Sequence, residues 1–232
     1  MILEVSMVVI EKVLSKEQVS AYRQQLAQCP WGDGRQTAMG MAASVKQNHQ
    51  ADAQDAKVQQ LANQLLARIG DTPKIVSAAL PHKIFPPCFN RYSETEEYGY
   101  HVDAAIMRIP HTSKVIRSDV SMTVFLSEPE EYDGGELVIS TEFGQQQIKL
   151  PAGYAVVYPS SSLHKVTAVT RGQRVAAITW MQSMVADSNL RQTLYQLDQS
   201  IQKLINANKT DRAELDNLHN VYHNLIRQFT QL

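Results

Sequence analysis

The sequence predicts an α+β protein: a double-stranded β-helix core (jelly-roll, cupin-like) with flanking N-terminal helices and a C-terminal helical hairpin. Three observations predict it. From about Ile75 to Met181 the chain breaks into short apolar runs separated by Pro and Gly signals, with Asp133-Gly134-Gly135 and Arg171-Gly172 reading as hairpin-like turns. Before that stretch, Val58, Leu61, Leu65, Leu66 and Ile69 recur at helical spacing. After Asp187-Ser188, two longer apolar stripes of the same period flank Asn206-Ala207-Asn208. The chain therefore divides into residues 1–74, an α/β lead-in packed on the core, residues 75–184, the core, and residues 185–232, the hairpin.

In chain order, Leu3 to Val9 is strand-like. Ser15-Lys16-Glu17-Gln18 resembles a capping box, in which the two side chains satisfy free N–H groups, so a helix should run to about Ala27. Gly70 is placed to end the helix through Val58 and Ile69. Within the core, Leu150-Pro151-Ala152-Gly153 is a turn, Tyr154 to Tyr158 a strand, and Leu163 to Val166 a further strand after the serines at 160–162. Gly134 and Gly135 serve backbone geometry, since nothing nearby suggests a phosphate loop. The last two stripes, Leu190 to Ile205 and Leu215 to Phe229, make two antiparallel helices that pack on the core or on another subunit, so a homo-oligomer through them is an open expectation.

Composition narrows the class. A chain of 232 residues with 44% hydrophobic content can bury a sizeable core, and a net charge of −1 argues against nucleic-acid or anionic-membrane partners. No apolar stretch approaches bilayer length. Cys29 and Cys88 alone cannot build a disulfide framework or a structural zinc site, and the first residues lack the pattern of a signal peptide, so a cytoplasmic location is expected. Arg108, His111, Lys114 and Arg117 form a local basic run containing Pro110, either a solvated loop or a substrate lid over 104–118.

The chemistry is concentrated in a few residues. In a strand, His101 and Asp103 face one side while Tyr100 and Val102 face the other, so one rigid element can present two metal ligands. His164, on another strand, would complete a set of two histidines and one carboxylate, the arrangement of non-haem iron(II) oxygenases. Arg174 alternates with Ala176, Ile178 and Trp180, which puts a cation on an apolar face where it needs a partner. That partner is either an acidic side chain or a dicarboxylate co-substrate gripped by the planar guanidinium. His219 and His223, four apart, lack the glutamate of the metalloprotease motif and read as a polar helix face.

These residues, with Phe89 to Tyr92, Gly99 to Asp103, Asp119 to Leu126, Tyr132 to Leu137, Leu163 to Val166 and Arg171 to Arg174, resemble the iron(II)- and 2-oxoglutarate-dependent dioxygenases related to prolyl 4-hydroxylase. More narrowly, the chain is similar along nearly its whole length to bacterial PKHD-type hydroxylases, some described as iron-uptake factors. The resemblance implies a hydroxylase forming succinate and CO2, with His101, Asp103 and His164 on Fe(2+). It implies Arg174 on the distal carboxylate of 2-oxoglutarate, Tyr92 as a further co-substrate contact with Tyr98 and Tyr100 as rivals, and ascorbate as reductant. The substrate would be a small molecule or a peptide. A non-redox cupin-like metal- or ligand-binding protein is the alternative. A nucleic-acid dealkylase fits less well, because Trp180 stands where those enzymes carry a second arginine.

Overall fold

A computed structural model describes residues 7–38, 40–110, 112–142 and 144–232. Strand β1 (Val8–Ile10) is the described end of the strand-like run, residues 1–6 lying outside those described. Helix α1 (Lys16–Leu26) starts at the capping box: the Ser15 hydroxyl accepts from the Gln18 N–H, and the Gln18 side chain accepts from the Ser15 N–H. Strands β2 (Trp31–Asp33) and β3 (His49–Ala51) bracket a four-residue helix α2 (Met41–Ser44). Helix α3 (Ala56–Gly70) buries Val58, Leu61, Leu65 and Ile69, and the Asp55 carboxylate caps it by accepting from the Lys57 and Val58 N–H groups.

The β-rich segment begins later than its apolar pattern suggests. Pro73–Ala79 form helix α4, with Pro73 in the first turn where its missing N–H is not needed, so Ile75 reaches the core from a helix. There follow β4 (Pro81–Ile84), β5 (Cys88–Tyr92), β6 (Tyr98–His101), β7 (Ile106–Arg108), β8 (Val115–Arg117), β9 (Val120–Phe125), β10 (Tyr132–Gly134), β11 (Leu137–Thr141), β12 (Gly144–Ile148), β13 (Ala155–Pro159), β14 (His164–Val166), β15 (Val169–Gly172) and β16 (Arg174–Ser183).

Two antiparallel sheets carry the fold. The larger runs β1-β13-β9-β16-β5-β3-β2, with β4 also on β16, and the smaller runs β12-β11-β14-β6. Period-two alternation sorts the larger sheet's side chains. Phe89, Met122, Val124 and Ala177 pack against Leu26, Leu61, Leu65 and Ile75 of the helices. On the opposite face Tyr92, Phe125, Val156 and Tyr158 meet Leu137, Ile139 and Val166 of the smaller sheet. The inner faces of the two sheets thus enclose a core of their own, as a jelly roll requires.

Asp133-Gly134-Gly135 and Arg171-Gly172 do not each close a hairpin. They pair with one another: β10 lies antiparallel to β15, with Tyr132 opposite Gly172 and Asp133 opposite Arg171. The Arg171 guanidinium donates to the Asp133 carboxylate at 2.7 and 3.0 Å. The positive φ of Gly134, 71°, serves this crossing, where a Cβ would come within 2.0 Å of the Ala168 carbonyl oxygen.

The hairpin is α5 (Ser188–Ala207) and α6 (Arg212–Phe229), with left-handed Asn208 ending the first helix. Leu194, Ile201 and Tyr222 pack with Leu80 and Val185, while Leu204, Ile205, Val221 and Phe229 are exposed, so the stripe is wider than its buried part. Buried Arg191 donates to the Val185 and Ala186 carbonyls and fastens α5 to the end of β16. Among the described residues no helix is long and apolar enough to cross a membrane.

Candidate functional site

His101 ends β6, His164 begins β14, and the two are partners across the strand pair with ring centroids 4.2 Å apart. Regular pairing stops at His101, so Asp103 lies just past the strand rather than within it. The alternation nonetheless persists, with His101 and Asp103 turned inward and Val102 48% exposed. One ligand atom from each of His101, Asp103 and His164 lies within 4.8 Å of the others, and His164 Nε2 is 3.8 Å from Asp103 Oδ2.

The chain sets the chemical state of these groups. His101 Nδ1 lies 2.8 Å from the Gly99 carbonyl oxygen and His164 Nδ1 lies 2.9 Å from that of Ser162. A carbonyl only accepts, so each Nδ1 carries the proton and each Nε2 keeps its lone pair for a metal. The Ser121 hydroxyl donates to Asp103 Oδ2 at 2.6 Å and lies 2.7 Å from the Ser160 hydroxyl. Burial, and secondarily the neighbouring His164, pushes His101 down to about 4, which keeps it in the neutral, ligating form. Two imidazoles and a carboxylate, each held from behind, suit a divalent transition metal.

Arg174, first residue of β16, lies opposite Tyr92 of β5 and is 2% exposed. Its guanidinium carbon is 5.4 Å from the Phe125 ring centroid, and its Nε has no hydrogen-bond partner. Among the described residues, no Asp or Glu makes an ion pair with it. Gly135 makes room for the stem, since a Cβ there would sit 3.1 Å from Arg174 Cδ. The described residues thus supply no acidic partner of the kind considered from the sequence, and Arg174 opens into a cavity of about 400 Å³ shared with His101, Asp103 and His164.

The tyrosines separate clearly. Tyr92 and Tyr98 line that cavity, whereas Tyr100 is turned outward beneath Lys165. Tyr98 stacks on the His101 ring with centroids 3.5 Å apart, and burial pushes Tyr92 up to about 12, leaving it a neutral phenol. His219 and His223 stay on α6, His219 Nδ1 lying 2.9 Å from the Leu215 carbonyl oxygen one turn earlier, and neither belongs to the candidate cluster of His101, Asp103 and His164. The basic run is partly a hairpin, β7 with β8, in which Arg108 and Pro110 reach the cavity and Arg117 pairs with Asp119; His111 lies outside the described residues.

Sequence reasoning missed Ser121 and Ser160 behind Asp103, and Tyr158, Asn90 and Lys46, which line the cavity. Alternation along Val120–Phe125 could have put Ser121 on the same face as Thr123; Lys46 follows no periodic run and gave no signal.

Residues 87–182 match the 2OG-Fe(II) oxygenase superfamily and residues 188–231 the PKHD-type hydroxylase C-terminal domain. A PKHD-type hydroxylase of Shewanella frigidimarina is 89% identical over 226 residues, 97% of this chain and 100% of the relative. The chain belongs to the PKHD-type hydroxylases. Hydroxylases of this type from Alteromonas mediterranea and Acinetobacter baumannii are 63% and 46% identical, over 97% and 96% of this chain and 100% and 98% of theirs. The fold is that of a Pseudomonas putida prolyl-4-hydroxylase, with a TM-score of 0.52 and 20% identity over 77% of this chain and 92% of the other. It is shared with HygX from Streptomyces hygroscopicus, with a TM-score of 0.54 and 12% identity over 78% and 84%. This PKHD-type hydroxylase is accordingly a dioxygenase whose family implies Fe(2+) and 2-oxoglutarate.

Proposed function

We propose that His101, Asp103 and His164 hold the iron, and that Arg174, assisted by Tyr92, takes the distal carboxylate of 2-oxoglutarate. The substrate hydroxylated beside them is a small molecule or a peptide. What carries the assignment is Arg174, a buried cation that shares the triad's cavity and makes no ion pair among the described residues. A planar guanidinium accepts a carboxylate bidentately, which would remove the cost of burying it alone.

Bound iron would supply oxygen activation coupled to conversion of 2-oxoglutarate into succinate and CO2. The chain's own residues do the rest. Gly99 and Ser162 keep both Nδ1 protons in place, Ser121 fixes the Asp103 carboxylate, and the Tyr92 phenol can donate toward the co-substrate. Tyr98, Tyr158 and Trp180 wall the cavity with aromatic surface that displaces water from the reacting groups. With the Asp103 carboxylate in the triad, no protein-ligand position is free for a halide, so hydroxylation is favoured over halogenation.

Ascorbate as reductant, a cytoplasmic location, and the lack of nucleic-acid and membrane partners belong to the same proposal, supported by the family likeness and the near-neutral charge. A homo-oligomer through the hairpin is supported by the exposed Val221 and Phe229. The test is anaerobic loading with iron and 2-oxoglutarate, followed by admission of oxygen over amino acids, peptides, siderophores and cell extract. A visible metal-to-ligand band and oxygen-dependent succinate are expected. If neither forms, a non-redox cupin-like binder is the better description.

A further inference from the structure

Lys46 is 4% exposed and lines the triad's cavity, although it comes from the lead-in rather than from the jelly roll. Its backbone forms a bridge to Tyr98 of the His101 strand, and the Gly99 N–H donates to the Val45 carbonyl at 2.8 Å, so the segment is docked on the strand that carries the metal ligand. The Lys46 ammonium donates to the Thr37 hydroxyl at 2.9 Å and lies 5.3 Å from the Tyr98 ring centroid. Among the described residues, no carboxylate makes an ion pair with it. The Thr37 hydroxyl, acceptor to Lys46, in turn donates to Gln50 Oε1 at 2.7 Å, which leaves the ammonium as the wall's charged donor toward the cavity.

Charge makes this wall informative. A divalent metal and a dianionic co-substrate cancel, and Asp103, the one acid among the cavity's described lining residues, is matched by Arg174. Lys46 is left over. A buried ammonium with only a hydroxyl and a ring face is poorly compensated, and one ammonium has two further N–H donors to offer. We propose that Lys46 forms a second anion subsite, and that the hydroxylated substrate bears a carboxylate held there. The subsite presupposes the iron and 2-oxoglutarate assignment above. At about 400 Å³ the cavity is at the small end of ligand sites, so the carboxylate must belong to a compact group.

The test uses the full chain loaded anaerobically with Fe(II) and 2-oxoglutarate, with N-acetylglycine and its primary amide as probes followed by calorimetry. The parent should bind the carboxylate at least about tenfold more tightly than the amide, and Lys46→Met should lose that preference. Lys46→Arg should restore part of it. The 2-oxoglutarate affinity read from the absorption band should stay within about twofold of the parent in Lys46→Met while falling in Arg174→Ala. Loss of 2-oxoglutarate affinity in Lys46→Met would move Lys46 to the co-substrate and overturn the proposal, as would equal binding of acid and amide by the parent. Failure of the parent to bind 2-oxoglutarate at all would sink the iron assignment instead.

Discussion

The Arg174 guanidinium carbon lies 5.3 Å from the ring centroid of Tyr92, its partner across the β16–β5 pair. Strand pairing therefore fixes the cation against the phenol before any ligand arrives. Arg174→Ala should leave iron bound but weaken 2-oxoglutarate by about 2–5 kcal/mol, the usual cost of losing one partner of a buried charged pair. Pyruvate, without the distal carboxylate, should bind parent and variant alike. Anaerobic absorption titrations with both acids check this, and unchanged 2-oxoglutarate affinity would return Arg174 to a structural role.

Alanine at His101, Asp103 or His164 should each sharply weaken iron binding, because three protein ligands converge within 4.8 Å. The double replacement of His219 and His223 should leave it unchanged. Metal content after dialysis distinguishes the two sets.

Ser121→Ala removes the donor to Asp103 without touching a ligand atom. Hydrogen bonds behind a ligand are typically worth about 10–100-fold in metal affinity or activity. A fall of that size with an unchanged melting temperature is expected; a parent-like iron affinity would mean that Asp103 needs no positioning.

Metal-free protein should lose stability in mild acid. Burial holds His101 down at about 4 in the fold against about 6.5 for an exposed imidazole, so between those pH values the unfolded chain binds more protons and stability falls as pH drops. The loss levels off below about pH 4. Urea titrations from pH 7 to 4 should show this limb in the parent and a shallower one in His101→Asn.

In the hairpin, Leu194→Ala should cost about 2–5 kcal/mol, since Leu194 is fully buried. Polar substitutions at Leu218 and Leu225, which pack only partly buried against the same cluster, should alter stability or oligomeric state before they alter the iron chromophore. Light scattering and thermal melts decide this; unchanged mass and stability would free the stripe of both roles.

The convergence of the candidate metal cluster was legible because its signal is local: alternation puts His101 and Asp103 on one side, and a short run ahead of His164 marks a second strand. Arg174 was legible as a charge in an apolar alternating run. Pairing partners were not, because period two says which face a residue takes but not which strand it meets. The glycines at 134, 135 and 172 show this, with a positive φ suited to a tight turn but used where β10 crosses β15. Helix α4 was hidden because seven residues hold too few turns for a periodic signal, and Lys46 because its placement depends wholly on docking to β6.

The carbonyl-anchored imidazoles have a consequence for which metal the protein carries. If these residues hold the metal as proposed, two nitrogens and one oxygen, fixed in place by Gly99, Ser162 and Ser121, do not by affinity alone favour Fe(2+) over its neighbours. For such donors affinity rises from iron through cobalt and nickel to copper, with zinc also above iron. Occupancy must then follow supply rather than the strength of the site. A cell rich in zinc or poor in iron would hold the same folded chain in a silent form, and its oxygenase activity would track the local iron pool.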